Sequence, residues 1–420
     1  MTESPDLNPA SNSISEAATP AKATRMLLRL LRATQPVSRV DLANRLGVHR
    51  STVTEIFKPL IKSGTILEDV SGASEEKESQ GQGRPAKGLV FNSSKDCFIG
   101  VNIGVRHSQV GLTTLSGEIL AEDEFVTPAD SGEALKKVRE SIEAFGTGPV
   151  SEGRTLRTIG VSVPGPTDED RRVLRYAPHL DWTNVPIADV LRFKSRHKEF
   201  STEDVPIVVE NDSTAAAMYE ARLKIRASAD GLASDFILVR SGTGIGVGLV
   251  INNEVYRGTG HSRGIAGEFG HMTIMAGGKP CVCGNRGCWE KYASAAAAAS
   301  LYTGDRAQHS GTKMPRFVEI VAKAEGGDVR ARRTLESMGE YLGIGIANVI
   351  MGVGIPHVIV SGRLVYGWKY MRESLNNAIK KSIVGKIPGW TVECGEPKGS
   401  ALGGALEVAV EEFINRGLVV

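Results

Sequence analysis

Residues 267–271 read Gly-Glu-Phe-Gly-His, and residues 281–290 read Cys-Val-Cys-Gly-Asn-Arg-Gly-Cys-Trp-Glu. These two stretches hold three of the chain's five cysteines, with a histidine a short distance upstream. Thiolates and one imidazole form the ligand set of a closed, tetrahedral zinc site, which would hold this loop in one shape. We therefore predict a zinc-binding loop over residues 271–288, with four ligands: His271, Cys281, Cys283 and Cys288.

Disulfide bonds are the alternative role for these cysteines. Three clustered cysteines would leave one unpaired, and we see no charged-then-apolar secretory leader. No apolar run approaches the length that spans a bilayer. We therefore expect a cytoplasmic protein with reduced thiols and no membrane partner.

The composition is that of a globular protein, with 41% hydrophobic and 23% charged residues in 420. The net charge of +2 is unevenly placed along the chain. Residues 1–20 carry three acids and no base, and we predict a disordered tail there. Residues 21–91 carry twelve Lys or Arg against seven acids, whereas the remainder balances at 38 of each. A basic segment of this size is typical of a module that contacts phosphates.

This basic segment has the pattern of a helix-turn-helix. An amphipathic helix ends before Pro36, Ser38 is a suitable N-cap for a second helix, and Gly47 makes the turn into a third. The second helix of such a pair presents its N-terminal side chains to the major groove of DNA. We expect Pro59 to bend the third helix or to end it near Lys58. The side chains predicted to face DNA are Arg50, Ser51, Thr52 and Thr54, with Glu55 beside them.

Two apolar runs, residues 66–68 and 88–91, follow with a long polar loop between them. We interpret them as the strands of a wing, which makes residues 21–92 a winged helix-turn-helix domain that binds double-stranded DNA. The loop contains Gly83-Arg84-Pro85, and an arginine held between a flexible and a rigid residue suits the narrow minor groove. Arg84 is therefore a further predicted DNA contact.

From Cys97 onward, strands and helices alternate, which predicts an α/β domain over residues 97–420. A first round of strands begins at Cys97, and we place the start of a second round at the strand 207–209. We also predict one continuous helix over residues 289–301. The repeated pattern favours two similar lobes with a cleft between them.

Five motifs in this domain, occurring in order, resemble the ROK family (repressors, open reading frames and kinases). They are Gly-Val-Ser-Val-Pro-Gly-Pro at 160–166, Glu-Asn-Asp at 210–212, the glycine-rich 241–248, Glu268-x-x-His271, and the cysteine signature at 281–290. With the preceding winged helix, the chain looks like the NagC/XylR-type branch of transcriptional regulators. The resemblance implies an actin-like, sugar-kinase-type fold with two lobes, and zinc bound by the histidine and cysteines named above.

The resemblance also implies a sugar site. The residues that match the family's hydroxyl-binding positions are Asn211, Asp212, Glu268, His271 and Glu290. The chemistry agrees, because carboxylates accept from sugar hydroxyls and an amide both donates and accepts. His271 can give one ring nitrogen to zinc and turn the other toward the cleft. Helix capping by Asn211 and Asp212, or acids beside a structural metal, are the simpler alternatives.

An active sugar kinase is the rival interpretation, and Asp212 matches the family's catalytic base. Family kinases open their first strand with Asp-x-Gly-Gly-Thr-Lys, whereas residues 102–107 here read Asn-Ile-Gly-Val-Arg-His. Asn102 removes the charge that would organise magnesium, and Val105 adds bulk where backbone must approach phosphate. Arg363 stands where the kinases tend to have paired glycines. We therefore predict a protein without enzymatic activity, in which Asp212 is a vestigial base.

These observations favour a transcriptional regulator, a repressor of sugar uptake or catabolism genes. A sugar or phosphosugar effector bound between the lobes would change its affinity for operator DNA. Symmetric operators predict a homodimer or homotetramer. Control by a sugar-transport protein is a further alternative.

Overall fold

The computed structural model describes residues 20–69, 87–195, 197–228, 234–259, 264–304, 314–397 and 399–417. The chain forms two compact units, the first comprising Met1–Asn92 with Arg222–Ala233 and the second Ser93–Ala221 with Ser234–Val420. Among the described residues, no helix is both long and apolar enough to cross a membrane.

In its described residues between 20 and 92, the first unit contains three helices and a small antiparallel sheet, as predicted for a winged helix-turn-helix. The helices are α1 (Pro20–Thr34), α2 (Arg39–Leu46) and α3 (Arg50–Lys62), and the strands are β1 (Val37–Ser38), β2 (Ile66–Asp69) and β3 (Gly88–Phe91). The strand order is β1-β3-β2. Fully buried side chains from every helix and from the sheet form its core: Leu27, Leu31, Leu42, Val53, Phe57, Ile66 and Leu89.

The turn between α2 and α3 follows the sequence signals. The Ser38 hydroxyl accepts a hydrogen bond from the Asp41 amide at 3.1 Å and so caps α2. Gly47 ends α2 with a φ of 62°, a left-handed conformation that favours glycine. The His49 side chain then caps α3.

Of the two effects expected of Pro59, bending α3 or ending it near Lys58, the second is wrong, because the helix continues to Lys62. Lys58 and Pro59 are both exposed. Proline has no N–H, so the carbonyl of Glu55 lacks its usual helical hydrogen bond. Water can donate a hydrogen bond to that carbonyl instead, because this side of the helix is exposed. Beyond the proline, Leu60 and Ile61 are half-buried, so the last turn still packs on the unit.

The second unit contains two five-stranded sheets. The first sheet has the order β10-β7-β4-β5-β6. Its strands are β4 (Asp96–Asn102), β5 (His107–Thr114), β6 (Ile119–Val126), β7 (Thr155–Val163) and β10 (Ile207–Asn211). The elements that accompany it are α4 (Ser131–Thr147), the hairpin β8 (Leu174–Ala177) with β9 (Trp182–Val185), α5 (Ile187–Val190) and α12 (Ser400–Asn415).

The assignment of the strand at 207–209 to a second lobe is wrong. This strand, β10, pairs in parallel with β7 in the first sheet, and Asn211 lies opposite Val163. An apolar strand carries no local signal for which sheet it joins, because both sheets offer it an apolar surface. The pairing places the end of β10 beside the Pro-Gly-Pro turn at 164–166.

The second sheet has the order β13-β12-β11-β14-β15. Its strands are β11 (Phe236–Ser241), β12 (Ile245–Ile251), β13 (Glu254–Tyr256), β14 (His357–Gly362) and β15 (Thr391–Cys394). The remaining helices are α6 (Asp212–Ala227), α7 (Glu290–Ala293), α8 (Ala297–Thr303), α9 (Phe317–Glu325), α10 (Val329–Val353) and α11 (Trp368–Lys381).

The single helix predicted over 289–301 is also wrong, since α7 and α8 are separate. Ser294 adopts an extended conformation with ψ of 159°. Its hydroxyl accepts a hydrogen bond from the Ala297 amide at 3.1 Å. The alanine run that follows favours helix, but the serine offers the backbone a competing local bond.

A row of three glycines decides how α12 packs on the first sheet. Gly100 lies opposite Gly111 on β5 and opposite Gly160 on β7. A Cβ atom on Gly160 would lie 2.5 Å from both Ala405 O and Ala409 N. The glycines therefore form a groove that admits the backbone of α12 closer than any side chain would allow.

We expect Gly160→Ala to destabilise the second unit by about 1–3 kcal/mol, because the added methyl must displace helix backbone. Gly352→Ala is the matched control, since a Cβ there meets nothing within 4 Å. The denaturant midpoint of the second unit is measured by tryptophan fluorescence, because this unit contains all four tryptophans. Equal midpoints for the two variants would contradict the packing argument.

Candidate functional site

The N-terminal end of α3 presents polar side chains to solvent. Each predicted DNA-facing residue of this helix is exposed: Arg50, Ser51, Thr52 and Thr54. The Ser51 hydroxyl lies 2.7 Å from His49 Nδ1, and the Thr54 hydroxyl donates to the Arg50 carbonyl at 3.0 Å. Both hydroxyl oxygens keep acceptor capacity, and the Arg50 guanidinium projects from the first turn of the helix.

The tip of the predicted wing, including Arg84, lies outside the described residues. At the base of the wing, the Glu68 carboxylate lies 2.6 Å from Arg39 Nη2 and 2.6 Å from Lys87 Nζ. These hydrogen bonds, from Lys87 first and then Arg39, lower the pKa of Glu68 to about 2. The ion pairs tie both wing strands to the first residue of α2.

The four predicted metal ligands lie together in the second unit. Their ligand atoms are all within 4.8 Å of one another. His271 Nδ1 is 3.5 Å from Cys281 Sγ, and the Sγ atoms of Cys283 and Cys288 are 3.7 Å apart. A tetrahedral zinc ion with ordinary bond lengths requires edges of about 3.6 Å for N···S and about 3.8 Å for S···S. The donor set and its spacing therefore fit zinc.

Short backbone interactions hold this loop in shape. Isolated bridges pair Thr273 with Cys288 and Pro280 with Arg286. Gly287 has a φ of 78°, and a Cβ there would collide with the Met275 carbonyl. The glycine-rich spacing between Cys283 and Cys288 therefore serves a turn that only glycine permits.

The five predicted effector-binding residues surround one cavity of about 450 Å³. They come from three parts of the chain, namely the end of β10, the turn at 268–271 and the start of α7: Asn211, Asp212, Glu268, His271 and Glu290. Parallel pairing of β10 with β7 brings the first two to the cleft, and the cysteine loop brings the others. The structure thus assembles the predicted set in one place.

Asn211 has two roles at once. Its Oδ1 accepts hydrogen bonds from the Ser213 and Thr214 amides at 2.9 and 3.1 Å, which caps α6. Its Nδ2 donates to Glu268 Oε1 at 3.1 Å. The cap fixes the amide orientation, so that the Nδ2 group is aimed at the acidic side of the cavity.

His271 joins the cysteine cluster to the cavity. Its Nδ1 faces Cys281, whereas its Nε2 lies 3.9 Å from Glu268 Oε2. Glu290 contacts the same region, accepting from Cys281 Sγ at 3.2 Å. A ligand at the cavity would therefore contact side chains whose positions the cysteine loop sets.

The pKa values of Glu268 and Glu290 are shifted in opposite directions. Burial, followed by the negative charges of Asp212 and Glu290, raises the pKa of Glu268 to about 7. Burial also opposes ionisation of Glu290, but the neighbouring imidazoles of His179 and His271 outweigh burial and lower the pKa of Glu290. His179 Nε2 lies 3.5 Å from Glu290 Oε2. This histidine was not predicted, because no motif surrounds it.

Asp212 forms an ion pair with Arg240, a residue outside the family motifs. Arg240 Nη1 donates to Asp212 Oδ2 at 2.7 Å. Arg240 is the penultimate residue of β11 and the only charged residue of that strand, and a charge within an apolar run is the signal that could have identified it. The ion pair engages one of the two carboxylate oxygens of the candidate base.

The loop that corresponds to the family's first phosphate loop is also altered in structure. Asn102 is buried, and its Oδ1 accepts a hydrogen bond from Ser162 at 3.1 Å. Arg106 and His107 are exposed. The amide is therefore part of the sheet's internal bonding and offers no carboxylate for magnesium.

Two protein families match this chain, one in its N-terminal part and one over most of the remainder. Residues 98–410 match the ROK family, and residues 21–66 match the winged helix-turn-helix DNA-binding family. The xylose repressor of Bacillus subtilis (strain 168) is 30% identical over 365 residues, covering 86% of this chain and 88% of that protein.

Two solved structures are similar as well. A ROK family transcriptional regulator, a homologue of the E. coli MLC protein, superposes with a TM-score of 0.72 at 24% identity, covering 95% of this chain and 97% of that one. A ROK family glucokinase from Streptomyces griseus, in complex with glucose and AMPPNP, gives 0.61 at 26% identity, covering 74% and 99%. With a winged helix-turn-helix in its N-terminal unit and a sugar-kinase-like domain after it, the chain belongs to the ROK family.

Proposed function

We propose that this protein is a DNA-binding transcriptional regulator, a repressor of sugar uptake or catabolism genes. The observation that carries the proposal is the pairing, in one chain, of an exposed recognition helix with an assembled polar cavity. Arg50 is exposed on the first unit, while Asp212, Glu268 and Glu290 line a cavity in the second. Similarity to a xylose repressor over 86% of the chain supports the same conclusion.

In this proposal the effector is a sugar or phosphosugar. Carboxylates and the Asn211 amide provide acceptors and a donor for vicinal hydroxyls. Effector binding changes the balance between operator-bound and released states. Because operators read by a winged helix-turn-helix are symmetric, the protein acts as a homodimer or homotetramer. It acts in the cytoplasm, where the operator DNA is.

Zinc is the proposed metal of the cysteine loop, held by His271, Cys281, Cys283 and Cys288. Its role is structural, since four protein ligands leave no open position. It would fix the loop that positions His271 and Glu290 at the cavity.

A sugar kinase is the second candidate, because the Streptomyces griseus glucokinase relative is seen with glucose and AMPPNP. Two observations oppose it. Asp212 is paired with Arg240, and Asn102 is bonded within the sheet. We propose that phosphoryl transfer has been lost and that the sugar side of the cleft is retained.

The first prediction tests DNA binding. Operator sites selected from random duplexes with the full chain should bind less tightly as salt rises, because phosphate contacts release counterions. Arg50→Ala should weaken operator binding by about tenfold to a hundredfold, because it removes one hydrogen-bonded contact between arginine and a base. Lys62→Ala, at the other end of α3, removes the same charge and should cost far less. Unchanged affinity for Arg50→Ala would contradict the recognition-helix assignment.

The second prediction tests the metal. Elemental analysis of protein purified without added zinc should give about one equivalent per chain. Cys283→Ser should lose zinc and lower the melting temperature, whereas Cys394→Ser, an exposed cysteine outside the cluster, should keep both. Full zinc content and full stability in Cys283→Ser would show that the cluster is not a metal site.

The third prediction separates regulator from kinase. A coupled assay of ATP consumption across hexoses, pentoses and amino sugars should stay at background, with the Streptomyces griseus glucokinase as positive control. Turnover on the order of 1 per second, which is within the range of kinases, would refute the proposed loss of catalysis.

A further inference from the structure

The turn of the β8–β9 hairpin reaches the cavity that holds the predicted sugar ligands. Pro178 and His179 lie in this turn, and both line the cavity of about 450 Å³. His179 also lines a neighbouring cavity of about 470 Å³, and so does Glu290. These two side chains therefore stand where the two cavities adjoin. His179 belongs to none of the family motifs.

Packing on both sides of the hairpin fixes the position of its turn. A Cβ on Gly165 would collide with the Tyr176 carbonyl, so the Pro-Gly-Pro turn packs directly on β8. At the start of β9, Trp182 is buried, and its Nε1 donates to the Ala129 carbonyl at 2.7 Å. The fold of the first sheet and its hairpin therefore determines where His179 meets the cavity.

His179 and Glu290 form a pair with unused hydrogen-bonding capacity. His179 Nε2 lies 3.5 Å from Glu290 Oε2, which is longer than an ordinary N–H···O hydrogen bond. The Nε2 atom is buried and has no hydrogen-bond partner among the described residues. A Cβ on Gly244 would collide with the Glu290 carboxylate and lie 3.4 Å from His179 Nε2. The backbone at Gly244 therefore closes one side of the pair.

This pair matches the chemistry of a hydroxyl group. A hydroxyl has one donor and two acceptor positions, whereas a carboxylate only accepts. A hydroxyl beside both side chains can donate to Glu290 Oε2 and accept from His179 in the tautomer that carries its proton on Nε2. Burial makes an unpaired nitrogen costly, so a ligand that supplies this partner gains affinity.

We propose that His179 is a specificity-determining residue of the effector site, which together with Glu290 binds one ring hydroxyl and admits no larger group in its place. This inference rests on the proposed function and narrows its effector class. A methyl or glycosyl group on that oxygen removes the donor and meets the His179–Glu290 pair. The effector is therefore a sugar whose hydroxyl is free at this position.

Calorimetric titration of the full-length protein provides the test. Glucose, xylose and N-acetylglucosamine, with their terminal phosphates, are titrated to find the sugar that wild type binds. His179→Ala should weaken binding of that sugar by about tenfold to a hundredfold, because the hydroxyl loses a buried partner. His179→Asn keeps a side-chain donor and should lose less. His357→Ala, an exposed histidine at the start of β14, is the matched control and should bind as wild type.

Monodeoxy analogues of the bound sugar separate a direct contact from a structural role. For one analogue, the loss of the hydroxyl and the loss of His179 should be non-additive, because both remove the same interaction. His179→Ala should therefore discriminate between the parent sugar and this analogue about tenfold less than wild type does. Glu290→Gln should be non-additive with the same analogue. A histidine that only positions Glu290 or supports the hairpin would weaken every analogue by the same factor.

The methyl ether at the same ring position provides a gain of binding. Wild type should bind this ether far more weakly than the parent sugar. His179→Ala removes the imidazole at the boundary and opens space toward the neighbouring cavity. The variant should therefore bind the ether more tightly than wild type does, a gain that a folding defect cannot produce.

Each contrary outcome overturns the inference. If His179→Ala and His357→Ala bind the parent sugar alike, or if all analogues weaken equally, His179 does not contact the effector. If His179 and Glu290 couple to different hydroxyls, the shared contact is wrong. A sugar bound equally by all variants overturns this inference alone. Wild type that binds operator but no compound of the panel would also overturn the sugar effector of the proposed function.

Discussion

The cleft depends on one buried carboxylate, Glu210, which is held between two arginines. Its Oε2 lies 2.6 Å from Arg257 Nε and 3.1 Å from Arg171 Nη2. Burial opposes its ionisation, but the charges of the two arginines outweigh burial and lower the pKa of Glu210. Arg171 also contacts Glu412 on α12 at 3.3 Å. A buried ion pair of this kind adds little net stability, but losing one partner leaves an uncompensated charge, so it specifies one arrangement of the segments.

The position of Glu210 explains why this constraint matters for the site. It immediately precedes Asn211 and Asp212, and it connects β10 of the first sheet to Arg257, which follows β13 of the second. The ion pairs of Glu210 with Arg171 and Arg257 therefore hold the backbone from which Asn211 and Asp212 project into the cavity. The cap that Asn211 forms on α6 holds the same backbone from the other direction along the chain. Side chains fixed in this way suit the proposed binding of sugar hydroxyls at the cavity.

The same fold supports catalysis in some ROK proteins and recognition in others, because the chemistry lies in a few side chains on a common scaffold. In this chain one side of the cavity carries three carboxylates, Asp212, Glu268 and Glu290, whereas Arg106 and Arg363 line the other side. The Asp212–Arg240 pair joins the two sides, since it engages the candidate base and extends the positive surface.

Features that depend on local spacing were predictable from the sequence. The Cys-x-Cys and later Cys, the Ser38 cap, the Gly47 turn and the strand alternation all act within a few residues, so the chain itself encodes them. Family motifs added the five polar residues of the cavity. Features that depend on partners far along the chain were not predictable. Sheet membership of β10 and the pairing of Arg240 with Asp212 arise only when distant segments pack, because an isolated strand or arginine has the same local pattern whichever neighbour it meets.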